Sequence, residues 1–382
     1  MEGHRGNPGP THRTYMKILI LSCSTGGGHN SAARAISDVL QSRGAETEIM
    51  DPIVLSSEKM KDTVSGVYNG LIKNAPIVFG AVYKIGAAYE ALHLPSPVYW
   101  ANSTYAQKLA DYIAQNGFER VVCCHLYCME AMTAVREKLH HDIPCIGIFT
   151  DYTLIPFMAD TKLDAYFIPH EELRGEITQK MPDATLIPSG IPVNLKFRTE
   201  TTQEEARDLL GLPQNKKIVL AIFGSVGCSK AEPLCERMET MLSDDSVAYV
   251  ILGDNEKLYV KLSKKYEGSG KIRLLSYTDQ VALYMRAADV LITKAGGLSS
   301  TEAAVTGVPI IHLRSIPGCE TRNADFFSEH GMSLATRNTK EAVQLANELL
   351  AHPEEADEMR DAQRRTINPD AATEIADMIL RE

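Results

Sequence analysis

The 382-residue chain lacks any apolar run of about 18 residues, so no segment is expected to cross a bilayer as a helix. It lacks an excess of positive charge: 39 Lys and Arg stand against 49 Asp and Glu, for a formal net charge of −10. A nucleic-acid partner calls for a basic face to neutralise phosphates, and that class is set aside. Paired cysteines are also missing. The eight Cys (Cys23, Cys123, Cys124, Cys128, Cys145, Cys228, Cys235 and Cys319) are scattered, which suits reduced thiols in a cytoplasm better than a disulfide framework. Residues 1–15 are polar, rich in Gly and Pro and without the apolar core of a secretory signal; they read as a disordered leader. No tandem repeat points to a solenoid, and no phosphate loop of the G-x-x-x-x-G-K-[ST] kind occurs.

What is present is the balance of an ordinary globular protein, 44% hydrophobic and 23% charged, at a length that suits two domains. Short apolar runs alternate with amphipathic stretches. Strands are expected at 17–22, 45–50, 120–124, 144–149 and 165–168, with helices at 31–42, 105–116 and 129–139 between them. The pattern pauses at Ser189-Gly-Ile-Pro-Val-Asn194 and restarts with helices at 203–210, 231–242, 280–287 and 299–306. Strands fall at 217–223, 248–252, 272–275, 290–293 and 309–313. The expectation is an α/β architecture of two doubly wound, Rossmann-like halves, residues 16–194 and 195–382.

Two glycine clusters stand where a strand turns into a helix. In Ser22-Cys-Ser-Thr-Gly-Gly-Gly-His-Asn30, glycines such as Gly27 and Gly28 let backbone approach a ligand, and the helix start favours an anion. His29 would stand at the sheet's carboxyl edge as a general base, or be a surface residue of a tight turn. The spacing is not the dinucleotide fingerprint. In Thr293-Lys-Ala-Gly-Gly-Leu-Ser-Ser-Thr-Glu-Ala303, Gly296, Gly297 and Ser299 open a helix, and Lys294 supplies countercharge. Glu302 either binds a ribose diol or closes a capping box with Ser299. Three further loops share the edge where open α/β sheets bind ligands: Gly224-Ser225, Tyr277-Thr278, and Ile316-Pro-Gly-Cys-Glu-Thr-Arg-Asn323. Asp151 ends another strand and either deprotonates an acceptor hydroxyl or caps a turn. His125, in Val-Val-Cys-Cys-His-Leu-Tyr-Cys128, matches no zinc spacing and is placed at the cleft, with no metal expected.

The segments GGGHNSAA, TKAGGLSSTEA, GVPII and PGCETRN resemble the processive diacylglycerol glucosyltransferases and monogalactosyldiacylglycerol synthases, and more distantly the glycosyltransferase that makes lipid II. The likeness runs from about Lys17 to Ala335. It implies a GT-B fold, two Rossmann-like domains facing a central cleft, with a lipid acceptor in the first and a nucleotide-sugar in the second. A last helix would return to the first domain. The resemblance assigns Gly296, Gly297 and Ser299 to the diphosphate, Glu302 to the ribose, and Tyr277 and Thr278 to the uracil. Glu320 and Asn323 fall near the donor sugar, and His29 matches a loop His that helps catalysis. Cys319 stands where the family usually has Gln, and Ile155 departs from the family's pattern after its Thr-Asp pair. The D-x-D triplet of the other large glycosyltransferase fold is missing, so no metal or cofactor is implied.

The implied reaction moves a hexose or N-acetylhexosamine from a UDP-sugar to the hydroxyl of a membrane lipid such as diacylglycerol, with inversion. Two alternatives share the architecture: a UDP-sugar 2-epimerase, and a nucleotide-sugar sensor without turnover. Residues 56–110 hold seven aromatics, including the only Trp, Trp100, and five Lys against three carboxylates. That stretch is expected on the acceptor side at a membrane surface, with the protein peripheral to the inner face, or else as a packed helix pair.

Overall fold

The short apolar runs become strands because parallel sheets are covered on both faces and accept little but aliphatic side chains. The computed structural model describes residues 15–23, 27–56, 97–198, 200–223, 228–314 and 318–381. The first sheet contains β1 (Lys17–Leu21), β2 (Glu46–Met50), β3 (Arg120–Cys123), β4 (Cys145–Ile148), β5 (Ala165–Ile168) and β6 (Leu186–Pro188), in the order β2-β1-β3-β4-β5-β6. The second contains β7 (Lys217–Ile222), β8 (Ser246–Ile251), β9 (Ile272–Leu275), β10 (Val290–Thr293), β11 (Ile310–Leu313) and β12 (Ser333–Thr336), in the order β12-β11-β10-β7-β8-β9. Every pairing is parallel.

In each sheet the strand order reverses at one place, between β1 and β3 in the first and between β7 and β10 in the second. Loops leaving the carboxyl ends of such a strand pair diverge to opposite faces and leave a crevice, where doubly wound sheets bind ligands. Gly27 and Gly28, after β1, and Gly296 and Gly297, after β10, lie there.

Three helices start earlier than the sequence suggests, among them Leu126–Leu139, expected from 129. The first runs Gly27–Ser42 and not from Ser31, so His29 sits in a helical first turn. The helix after β10 runs Gly297–Thr306, with Gly296 at its N-cap and no side-chain cap. PGCETRN is not a loop throughout: Gly318, at φ 115°, makes the turn and Cys319 opens the helix Cys319–Glu329. Glu320 and Asn323, three residues apart, therefore share one helix face.

The chain crosses between the domains twice. Near the first crossing Gly190 has φ 91°, and a Cβ there would come within 3.1 Å of the Ala371 Cβ. Asn368 donates to the Ser189 carbonyl at 2.9 Å, tying the returning strand to the outgoing one. Helix Ala371–Arg381 then packs Ala372, Ile375, Ala376 and Ile379 with Ala33, Ile36, Val39 and Leu40 of Gly27–Ser42 in one apolar cluster. An Arg43–Asp377 ion pair at 2.9 Å closes its edge.

Candidate active site

The two strand-order reversals face each other, and the backbones touch. A Cβ on Gly297 would fall inside van der Waals contact of the Thr150 carbonyl oxygen and 3.0 Å from Asp151 Cα. Gly297 is not among the residues with positive φ, so glycine is required here for space and not for conformation. Tyr152 reaches into the second domain, stacking on Phe326 with ring centroids 4.5 Å apart and meeting Phe327 edge-on at 5.2 Å. Its phenol lies 2.9 Å from the Thr301 hydroxyl. Tyr152 carried no signal in the local pattern beyond its place beside Asp151; its role depends on the other domain.

On the first domain, His29 Nδ1 lies 3.1 Å from the Cys124 carbonyl and 2.9 Å from the Thr150 hydroxyl. A carbonyl only accepts, so Nδ1 carries the proton and the lone pair of the neutral ring is on Nε2. Burial lowers the His29 pKa, opposed by the charge of Asp151. His125 is the N-cap of helix Leu126–Leu139, its Nδ1 accepting from Tyr127 N–H at 3.1 Å. Its ring meets His29 edge-on at 4.5 Å. Burial, and then the charge of His29, hold it well below its ordinary range. His125 thus belongs to the cleft wall. The Asp151 carboxylate accepts from Asn323 across the cleft at 2.7 Å. Burial raises its pKa against that hydrogen bond.

On the second domain, the Lys294 ammonium pairs with Glu320 at 3.0 Å, and Glu320 Oε2 is buried without a protein partner among the described residues. Burial alone would lower the Lys294 pKa; Glu320 raises it above its usual value. Glu302 lies in the second turn of its helix, so the capping-box alternative is closed. Burial pushes its carboxyl up to about 8, opposed by Lys196 and Arg34. Ser299 is half-buried in the first turn, while the neighbouring Ser300 bonds His312 Nε2 at 2.9 Å. That His, held on its other nitrogen by Ser333 and depressed to about 3 by burial, pins the helix start to β11.

The remaining expected residues spread along the same edge. Tyr277 is 69% exposed after β9, and the Thr278 hydroxyl accepts from Gln280 N–H. Gly27 and Gly28 open the first helix, and a Cβ on Gly28 would meet Leu298 at 3.6 Å. Gly224 and Ser225 lie outside the described residues, as do residues 1–14 of the expected leader and 57–96 of the aromatic stretch. Within that stretch, Tyr105 is a core residue at 4% exposure, whereas Trp100 is 68% exposed. No helix among the described residues is long and apolar enough to cross a membrane.

Two opposed parallel sheets, with glycine-opened helices converging at the facing reversals, define a two-domain protein of the GT-B architecture. Residues 29–193 match the monogalactosyldiacylglycerol synthase family, and residues 203–366 match the group 1 glycosyl transferases. The chain is a glycosyltransferase built from these two domains. A processive diacylglycerol beta-glucosyltransferase from Bacillus pumilus is 24% identical over 91% of this chain and 90% of its own length. Among solved structures, MurG from Acinetobacter baumannii is 14% identical with a TM-score of 0.63, covering 96% of this chain and all of that one. A candidate UDP-N-acetylglucosamine 2-epimerase from Listeria monocytogenes is similar in fold, with a TM-score of 0.62 at 15% identity and 96% coverage of both chains. The fold alone does not separate transferase from epimerase. Both matched families favour the transferase over the epimerase alternative.

Proposed function

We propose that the enzyme transfers a hexose or N-acetylhexosamine from a UDP-sugar to the hydroxyl of a membrane lipid such as diacylglycerol, with inversion. The observation that carries this reading is the meeting of two unlike chemistries at one contact. Helix Gly297–Thr306 offers first-turn N–H groups that no carbonyl of the helix can take up, and Glu302, on one side; His29 and Asp151 stand on the other.

In this reading the helix start and Lys294 stabilise the departing diphosphate. Glu302 takes the ribose hydroxyls, and the exposed Tyr277 lies where the uracil would stack. Gly224 and Ser225 would complete the donor loop. Glu320 Oε2 accepts from a sugar hydroxyl, with Cys319 beside it setting which sugar fits. Asp151 takes the single proton of the acceptor hydroxyl, and His29, neutral with its lone pair on Nε2, lines the same wall of the cleft. The first domain rests on an anionic membrane surface, at the inner face, through Trp100 and the aromatic stretch around it.

Purified protein is incubated with each common UDP-sugar and diacylglycerol vesicles, and UDP release and lipid-linked sugar are both measured. Coupled appearance of the two is the expected result. Absence of UDP release with every donor removes the reading; donor binding without product in any acceptor screen supports the sensor instead.

A further inference from the structure

We infer that Asn323 is a positioning residue. Carried by the nucleotide-side domain, its carboxamide fixes the Asp151 carboxylate of the acceptor-side domain, so the base is set only when the cleft is closed. The inference rests on the reading of Asp151 as proton acceptor.

Asn323 is fully buried, and every polar group on it is used. Nδ2 donates to Asp151 Oδ1 at 2.7 Å and to the Ala295 carbonyl at 3.1 Å; Oδ1 accepts from Tyr152 N–H at 2.7 Å. The orientation of the amide is not arbitrary. A backbone N–H must face the oxygen and a backbone carbonyl must face the nitrogen, so flipping the group would break both bonds. The Ala295 carbonyl anchors the amide on its own domain, and the other two bonds reach across the cleft to consecutive residues of the opposite strand end. With both amide hydrogens engaged, Asn323 has none left to donate to a sugar hydroxyl in this arrangement.

The charged groups acting on Asp151 come from three elements. Lys294, after β10, favours its ionised form, as His29, on helix Gly27–Ser42, does only when protonated; Glu320, on helix Cys319–Glu329, opposes it. The Cys319 thiol, on that same helix and raised by burial, also senses the Asp151 charge. Among these neighbours Asn323 is the hydrogen-bond donor to the carboxylate, and a donor to the charged form keeps a buried acid ionised.

The test compares Asn323→Asp and Asn323→Ala with the parent. Asn323→Asp keeps the shape and the acceptor for Tyr152 N–H but exchanges the donor to Asp151 for a second carboxyl, whose charge itself raises the Asp151 titration; Asn323→Ala removes donor and acceptor without adding charge, so the loss of the donor is read from Asn323→Ala. Three measurements are made: thermal unfolding, the pH dependence of kcat and KM with UDP-glucose and diacylglycerol vesicles, and the 13C carboxyl titration of Asp151, assigned with Asp151→Asn. The inference expects turnover at pH 7 to fall about tenfold in Asn323→Ala, the weight of one charge-assisted hydrogen bond, and further in Asn323→Asp. KM for UDP-glucose should stay within about twofold. The acid limb of the kcat profile and the Asp151 titration should both move to higher pH. If the titration and the limb stay in place while KM for the donor rises, Asn323 reads the sugar and the inference is overturned. If Asp151→Asn itself retains the parent's profile, the reading of Asp151 as base fails. If Asp151→Asn is inactive and the Asn323 variants do not shift the titration, only the inference fails. The carboxyl titration decides the positioning role even where turnover is undetectable.

Discussion

Replacing Gly297 by Ala adds one methyl group, and the structure places it against the Thr150 backbone of the opposite domain. Neither side yields easily. The glycine is held in a helical first turn, and the obstacle is a peptide carbonyl and not the end of a flexible side chain. Overpacking of this kind costs about 1–3 kcal/mol, which lowers the closed population by roughly 5- to 150-fold if the strain is relieved by parting the domains. Within its own domain the change is mild, because Ala is the better helix former by up to about 1 kcal/mol. Gly297→Ala should therefore melt at or above the parent's temperature while losing at least about fivefold in turnover, with a larger radius of gyration in solution scattering. Gly296→Ala is the control. A Cβ there meets no protein atom within 4 Å, and φ of −77° suits any residue, so closure should be unaffected. Parental turnover and scattering in Gly297→Ala would mean that the Gly297–Thr150 contact is not part of the working enzyme.

Glu302→Gln should raise KM for the UDP-sugar about tenfold or more with a smaller effect on kcat, read from initial rates of UDP release. The same variant tests the buried carboxyl. Its folded pKa, raised to about 8, puts a stability penalty on the protein that is absent below the ordinary carboxyl range near 4.5 and complete above about 8. Glu302→Gln should therefore raise the melting temperature at pH 8.5 and leave it nearly unchanged at pH 4.5. Across the cleft, His330 pairs with Glu172 at 3.0 Å. Burial alone would lower its pKa, but the Phe326 carbonyl and Glu172 raise it above the usual 6.5. The stabilisation is present below 6.5 and lost as pH climbs through the raised value, so His330→Gln should lower the melting temperature at pH 6 and not at pH 9. Trp100→Ala should weaken flotation with anionic vesicles, leaving the far-UV spectrum unchanged, because the ring is 68% exposed and contributes little to the core.

The strands were legible because burial on both faces leaves a plain mark, as in Ile18–Leu21 and Val290–Thr293, whose residues are all nearly inaccessible. β6 and β12 were not: β6 is three residues long and ends in Pro188, and β12, Ser333–Thr336, is short and half polar. The helix from Cys319 was hidden by the turn signal of Pro317-Gly318, which marks where the chain bends and not how far the bend extends. Glycine at 296 and 297 pointed to close approach, but the local pattern does not say what approaches. For Gly297 it is the other domain's backbone, and for Gly296 it is open space. Tyr152 was illegible for the same reason. Its partners, Thr301, Phe326 and Phe327, are more than 140 residues distant in the chain, and no local periodicity encodes that meeting.

The contacts across the cleft suggest how closure and chemistry are linked. Arg322–Glu176 and His330–Glu172 are partly exposed ion pairs, worth about 0–1 kcal/mol each, and they are too weak to hold two domains together. Tyr152 is the buried anchor, and beside it on the chain lies Asp151, held by the same Asn323 that accepts the Tyr152 N–H. Parting the domains therefore does three things at once. It withdraws the Tyr152 ring from Phe326, releases Asp151 from its donor, and opens the Gly297 helix start to water. A base that is fixed only in the closed state has a chemical advantage in a transferase. Water that enters the open cleft meets an unpositioned Asp151, so transfer of the sugar to water is disfavoured until an acceptor hydroxyl has been enclosed. Selectivity against hydrolysis would then depend on the Tyr152–Asn323 connection as much as on the fit of the acceptor.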